Sequence, residues 1–191
     1  MKPLLTVKQV VNNAAALRQA VKALTEQDVY IGVPAEHAGS RKGGITNAEL
    51  SYIHEFGAPA AGIPARPHLV PGVERIRDDA AQLLKDGAAR AMEGNVGAVE
   101  RNLTKIGQLG QNSVRAMFQD NDWPPLADTT LDYAPLKKDG EGNVVSDKKG
   151  QPKRGKSRRE KGKLNPLLDT AQLMKSHTFV IRKRGGRMIT P

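Results

Sequence analysis

The sequence predicts an α+β fold: a small antiparallel sheet built from an N-terminal and a C-terminal strand, packed with an amphipathic helix and a long helical hairpin, with a proline-rich arm and a basic loop attached. Three observations predict it. VYIGVP, from Val29 to Pro34, is a short apolar run rich in β-branched residues and stopped by proline, the pattern of a buried strand. HTFVIRKR, starting at His177, alternates in character and continues past Gly185-Gly186 into RMIT, the form of a β-hairpin. Between them lie two long stretches with apolar residues three and four apart, joined by a turn from Gly94 to Gly97, which makes an antiparallel helix pair the default.

The elements follow in order. Val7, Val10, Val11, Ala14, Leu17, Val21 and Leu24 form the stripe of an amphipathic helix that ends before the first strand. HAGSRKGG, from His37 to Gly44, is a flexible loop without the spacing of a phosphate cradle. Thr46 followed by Glu49 is a capping box, and it opens a helix expected to turn Leu50, Ile53 and His54 inward and to stop at Gly57. Prolines 59, 64, 67 and 71 then forbid helix and central strand alike, so residues 57–72 should form a stiff, extended arm, with Phe56 anchored in apolar surroundings where helix meets arm. The hairpin occupies residues 73–118, and Gly107 and Gly110 on its second helix suggest close helix–helix contact. DWPPL, from Asp122 to Leu126, is irregular. LLDTAQLMKS should contain a short helix capped by Asp169 or Thr170. No repeat is evident.

Charge divides the chain more sharply than hydropathy does. Net charge is +10, yet residues 1–136 carry 14 basic against 15 acidic side chains, while residues 137–163 carry 11 against 4. The expected organisation is therefore a neutral body (1–136), a basic flexible loop or arm (137–163), and a C-terminal short helix and β-hairpin that complete the body (164–191). With 38% hydrophobic and 4% aromatic residues the core is thin, which suits a chain that is partly ordered by neighbours. The absence of cysteine excludes disulfides, thiolate zinc sites and cysteine nucleophiles. No apolar run approaches the ~20 residues of a membrane span, and the N-terminus lacks a signal-peptide pattern, so a soluble, unsecreted protein is expected.

Catalytic chemistry finds little support. His54 and Glu55 are adjacent and point about 100° apart on a helix. Ala58 stands where the zinc-protease pattern H-E-x-x-H needs its second histidine. His54 and His68 lack a ligand spacing, and Ser40, Ser51, Ser113 and Ser176 lack a nucleophile-elbow context. The reading is of a protein that is not an enzyme and has no cofactor, metal or catalytic residues. Lys148, Lys149, Lys153, Arg154, Lys156, Arg158 and Arg159 form an acid-free basic cluster, able to meet duplex DNA phosphates or an acidic protein face. No aromatic stands among them to stack on bases, so any nucleic-acid contact should be indifferent to sequence.

Two blocks carry a resemblance. AELSYIHEFGAPAAGIPARPHLVPGV, from Ala48 to Val73, is similar to a helix followed by E-F-G and then prolines with R-P-F; Glu55, Phe56, Gly57, Arg66 and Pro67 match, and His68 replaces the usual aromatic. W-x-P-L-x-x-x-T (Trp123, Pro125, Leu126, Thr130) is followed, after the basic insertion, by L-x-D-T-x-x-L-x-x-S (Leu167, Asp169, Thr170, Leu173, Ser176), with Ala171 where glycine is usual. In that order the blocks resemble the neck and tail-completion proteins of tailed bacteriophages, including the virion-morphogenesis family of Mu-like phages. The resemblance implies a structural protein in head–tail joining or tail completion, made in the host cytoplasm and residing at the virion neck or proximal tail. It further implies a homo-oligomeric ring around the DNA channel, between head–tail connector and tail-terminator neighbours, with no membrane partner. Glu55, Phe56, Gly57, Pro64, Arg66, Pro67 and Trp123 are the expected subunit contacts. The alternative is a sequence-independent nucleic-acid-binding protein that uses the basic loop; an enzyme using His54 and His68 is a third reading.

Overall fold

A computed structural model of the chain describes residues 15, 17–19, 21, 22, 24–39, 44–120 and 123–184. Residues 7, 10, 11 and 14 of the expected first helix, residues 40–43, Asp122, and the turn and second arm of the expected C-terminal hairpin lie outside the described residues. Residues 15, 17–19, 21, 22, 24 and 25 are helical. Of the expected stripe, Leu17 and Val21 are half exposed, and Leu24 packs on the core.

The α+β class holds, with the sheet closed by strands from opposite ends of the chain. β1 (Gln27–Gly32) pairs antiparallel with β2 (Thr178–Lys183), in a register that sets Gln27 opposite Lys183 and Gly32 opposite Thr178. Arg184 and Asp28 tie the strand ends at 2.7 Å. Between the strands come α1 (Ala35–Ala38), α2 (Asn47–Phe56), a 3₁₀ turn (Pro59–Ala61), α3 (Leu69–Glu74), α4 (Arg77–Met92), α5 (Gly97–Asp120), α6 (Asp128–Asp132) and α7 (Gln172–Ser176).

α5 is the spine. Its buried face runs from Ala98 and Val99 through Leu103, Ile106, Gly107, Gly110 and Val114 to Met117 and Phe118. α4 lies along one side as the expected hairpin partner, and both strands cross another. One end of the core gathers Ala91, Val99 and Leu103 with Leu24, Val29 and Ile181. The other gathers Val114, Phe118, Leu167 and Leu173, with Ile31, Leu50, Leu69, Val73 and Trp123 packed on it.

The glycines on α5 do their close packing against the sheet rather than against a helix. A methyl group at Gly107 would overlap the Phe179 ring of β2, and one at Gly110 would overlap the Ile31 side chain of β1. The close helix–helix approach is at Gly72, where a Cβ would stand 2.8 Å from the Val114 Cα. The expected helix from residue 73 is two helices, and the first begins inside the proline run. Pro71 lies in the first turn of α3, where a missing N–H costs little.

Two further expectations are corrected. The arm does not project as an extended rod. Ala58 and Ile63 exchange backbone hydrogen bonds of 2.9 and 3.1 Å around the 3₁₀ turn, and the Arg66 N–H returns to the His54 carbonyl at 2.6 Å. The basic loop also has a backbone pattern. The Lys137 N–H donates to Lys153 O, the Val145 N–H to Lys137 O, and the Lys153 N–H to Val145 O, at 2.8–3.0 Å. Three residues spaced eight apart thus close a ring of hydrogen bonds. Each of the two intervening turns is held by an aspartate: Asp139 Oδ1 accepts the N–H of Glu141 and Asn143, and Asp147 Oδ1 accepts those of Lys149 and Gln151. Gly142 and Gly150 supply the positive φ that each turn requires. The two turns share an eight-residue repeat, D-x-x-G-[NQ], which corrects the expectation of a chain without repeats.

Candidate functional site

α2 turns its polar side chains inward and its aromatic ones outward. Its capping box forms as expected, with Thr46 Oγ1 accepting the Glu49 N–H and Glu49 Oε2 accepting the Thr46 N–H. The face it buries, however, is Asn47, Ser51 and Glu55, at helical spacing of four. Leu50, Ile53 and His54 are only partly covered. Phe56 is 61% exposed and Tyr52 66%, their rings 4.8 Å apart. The expectation of Phe56 as a buried anchor is therefore corrected. Inside, four hydrogen-bonding side chains meet, and a helix face that satisfies them has to be polar.

Glu55 caps α3. Its Oε2 accepts the backbone N–H of His68 at 2.7 Å and of Leu69 at 2.8 Å, and its Oε1 accepts that of Val70 at 2.9 Å. A carboxylate at a helix start meets donors that would otherwise be orphaned, and its charge suits that end of the helix dipole. Beside it, Ser51 Oγ lies 3.1 Å from His68 Nε2 and 3.0 Å from His177 Nε2, and the two Nε2 atoms are 3.2 Å apart. Both rings are fully buried and flank Phe118, at centroid distances of 4.7 and 5.3 Å. The node joins three segments: α2, the end of the arm, and the junction between α7 and β2. Arg115 of α5 clamps that junction through the His177 carbonyl, at 2.7 and 3.0 Å.

Burial holds both imidazoles below the ordinary histidine range. His177 is pushed to about 4, first by desolvation and then by the neighbouring His68 and by Arg115. His68 is lowered by desolvation, against the opposing pull of the Arg66 carbonyl and the Glu55 charge. Serine, histidine and carboxylate in contact invite a nucleophilic reading. Ser51 is buried, however, and none of the three main surface cavities is lined by it or by either histidine. The arrangement crosslinks the fold. From the sequence Ser51 reads only as a serine without a nucleophile elbow, and His177 stands alone in its segment; only the fold brings the two to His68.

The other expected contact residues divide. Arg66 is buried and holds the Pro124 and Pro125 carbonyls at 3.2–3.4 Å, so Glu55 and Arg66 are internal ties and not exposed contacts. Gly57 has φ 76°, and a Cβ there would stand 2.8 Å from the Ala65 nitrogen. Trp123 packs on the Phe118 end of the core. Phe56, Pro64 and Pro67 are exposed. Tyr52, whose ring contacts Phe56, lines a shallow cavity of about 520 Å³ with Gly44, Ile45, Glu49 and Ile53.

The basic cluster divides as well. Arg159 bridges Asp128 and Asp132 of α6 at 2.6 Å each, and those carboxylates raise its pKa. Arg158 reaches the Asn165 carbonyl at 2.9 Å and Asp169 at 3.4 Å, and Arg154 reaches the Ala134 carbonyl at 3.1 Å. These three arginines dock the loop on the body. Lys148, Lys149, Lys153 and Lys156 are exposed and make no side-chain hydrogen bond or ion pair with any described residue. Among the described residues no group of three or more His, Asp or Glu could hold a metal ion, and no helix is long and apolar enough to cross a membrane.

Comparison with known proteins found no matching family model, no similar curated protein and no similar solved structure.

Proposed function

We propose that this chain is a structural, non-enzymatic subunit of the neck or proximal tail of a tailed phage, which assembles into a ring around the DNA channel and joins head to tail. The observation that carries the assembling role is the inversion of α2: polar Asn47, Ser51 and Glu55 inside, aromatic Tyr52 and Phe56 outside. An exposed aromatic pair beside a shallow apolar cavity suits a surface covered by a neighbour. Half-exposed Leu17 and Val21 support the same reading. The phage assignment rests on the order of the two resembling blocks. Support comes from Ala171, whose φ of 57° is a glycine-type conformation at the position where the pattern it resembles usually has glycine.

The test joins electron microscopy to a surface variant. Purified particles labelled on this chain should show a collar at the head–tail junction. A Tyr52→Ser, Phe56→Ser double variant should stay within about 1 kcal/mol of the parent in isolated-subunit stability, since both rings are exposed, yet fail to enter particles. A subunit that remains monomeric at every concentration, is absent from particles, and tolerates the double change would overturn the proposal.

A second reading, sequence-independent contact with nucleic acid, is favoured by Lys148, Lys149, Lys153 and Lys156, which are exposed and pair with no described residue. It is compatible with the first, because a ring around a DNA channel needs a phosphate-facing surface.

A further inference from the structure

The buried node is short of hydrogens. His68 Nδ1 faces the Arg66 carbonyl at 3.1 Å, and His177 Nδ1 faces the Leu173 carbonyl at 2.9 Å. A carbonyl can only accept, so each neutral ring carries its hydrogen on Nδ1 and leaves Nε2 as a bare lone pair. The two Nε2 atoms and Ser51 Oγ then make three contacts of 3.0–3.2 Å, with one hydroxyl hydrogen among them. Ser51 can satisfy one imidazole, and the other faces its partner lone pair to lone pair. Glu55 cannot help, because it is an acceptor and its oxygens already hold three backbone N–H groups.

We propose that Ser51, His68 and His177 form a proton-binding site, which takes one proton into the contact between the two Nε2 atoms and governs how firmly the α7–β2 junction is held to α2 and the arm. The first proton converts a repulsive contact into an Nε2–H···Nε2 hydrogen bond shared by the rings. A second would set donor against donor, with two cations 3.2 Å apart in a dry core, and would release the junction. Groups facing the site act in both directions. Glu55 of α2, whose Oε2 is 3.4 Å from His68 Nδ1, stabilises the cation. Arg115 of α5, bonded to the His177 carbonyl, opposes it. The Arg66 guanidinium is turned to Pro124 and Pro125, and His54 stands about 100° round α2 from Glu55.

The sign follows from burial. Both rings titrate below the ordinary histidine value of 6.5, His177 at about 4, so an opened chain binds protons before the closed one. Relative to the opened chain, the closed fold is most stable above 6.5 and loses that margin as pH falls towards about 4. The shared hydrogen bond limits how far the first step is depressed, and the second step lies lower still. A divalent metal is the weaker occupant, since it would find two ring nitrogens, a neutral hydroxyl and no free carboxylate.

Nitrogen-15 NMR of the histidine rings in the full chain, from pH 8 to pH 4, together with amide exchange in β2, tests the site. At pH 8 both rings should carry hydrogen on Nδ1. His68 and His177 should respond at a common midpoint, below 6.5, and β2 amides should exchange faster through the same range, by up to about tenfold per unit of depression. Ser51→Ala deletes the single hydroxyl hydrogen, leaves both lone pairs bare, and should shift that midpoint upward. If the variant fails to fold, the parent titration still decides. Independent titration of the two rings, hydrogen on Nε2 of either ring at pH 8, an unmoved midpoint in a folded Ser51→Ala chain, or stoichiometric zinc on the purified protein would each overturn the proposal.

Discussion

Glu55→Gln tests the node where its energy is concentrated. The carboxylate accepts three backbone hydrogen bonds of 2.7, 2.8 and 2.9 Å from inside the fold. A hydrogen bond to a charged partner contributes about 1.5–3 kcal/mol, and a neutral one about 0.5–1.5. Glutamine keeps one oxygen. If that oxygen takes the place of Oε2, the bonds from His68 and Leu69 weaken by about 1 kcal/mol each. The amide nitrogen then faces the Val70 N–H, and an unmet buried donor costs about 1–3 kcal/mol. The expected loss is about 3–5 kcal/mol, a large part of the stability of an ordinary domain. Equilibrium unfolding in urea measures it as a lower midpoint at an unchanged slope. Glu49→Gln is the control: on the same helix, but with an exposed carboxylate, it should cost much less than the change at Glu55. A loss at Glu55 no larger than at Glu49 would refute the internal cap, and would return Glu55 to the surface role that the sequence suggested.

Three shorter predictions follow. Gly107→Ala should destabilise by about 1–3 kcal/mol in the same urea assay, because the new methyl meets the Phe179 ring and α5 cannot retreat; a gain would mean that β2 does not lie there. Ala171→Gly should stabilise by up to about 1 kcal/mol, since relief of a left-handed alanine outweighs the added chain entropy, and thermal unfolding should show a higher midpoint. Changing Lys148, Lys149, Lys153 and Lys156 to Gln, with the docking arginines kept, should flatten the salt dependence of duplex DNA binding. With one phosphate per lysine the slope lost is about 3.6, and an unchanged slope in a filter-binding titration would assign these lysines to a protein partner.

The strands, the helical hairpin and the capping box were legible because each is written in neighbouring residues. Val29 to Pro34 and Thr178 to Lys183 have local strand patterns, and Thr46 and Glu49 need only each other. α2 misled for the opposite reason. Leu50 does pack on the core as its spacing suggests, but what the polar face satisfies are backbone groups of residues 68–70 and a ring at position 177, which no local pattern reveals. The basic loop misled through composition. Poor in apolar residues, it reads as a flexible loop or arm, whereas its order comes from aspartate turns with D-x-x-G spacing at Asp139 and Asp147. Phe56 followed the common association of aromatic residues with cores, and the fold puts its ring in solvent beside Tyr52.

The sheet has a consequence for biosynthesis. β1 leaves the ribosome well before β2, with Gly32 opposite Thr178 and helices α1 to α7 between them. At ~5–20 residues per second the first strand waits about 7–30 s for its partner. During that interval the α5 surface around Gly107 and Gly110, which the two strands cover in the finished molecule, has no sheet over it. The nascent chain therefore carries an unpaired strand edge and an open apolar groove at once, the two features that recruit chaperones or premature neighbours. The sheet and the His177–Ser51 crosslink therefore close together, once β2 has been made.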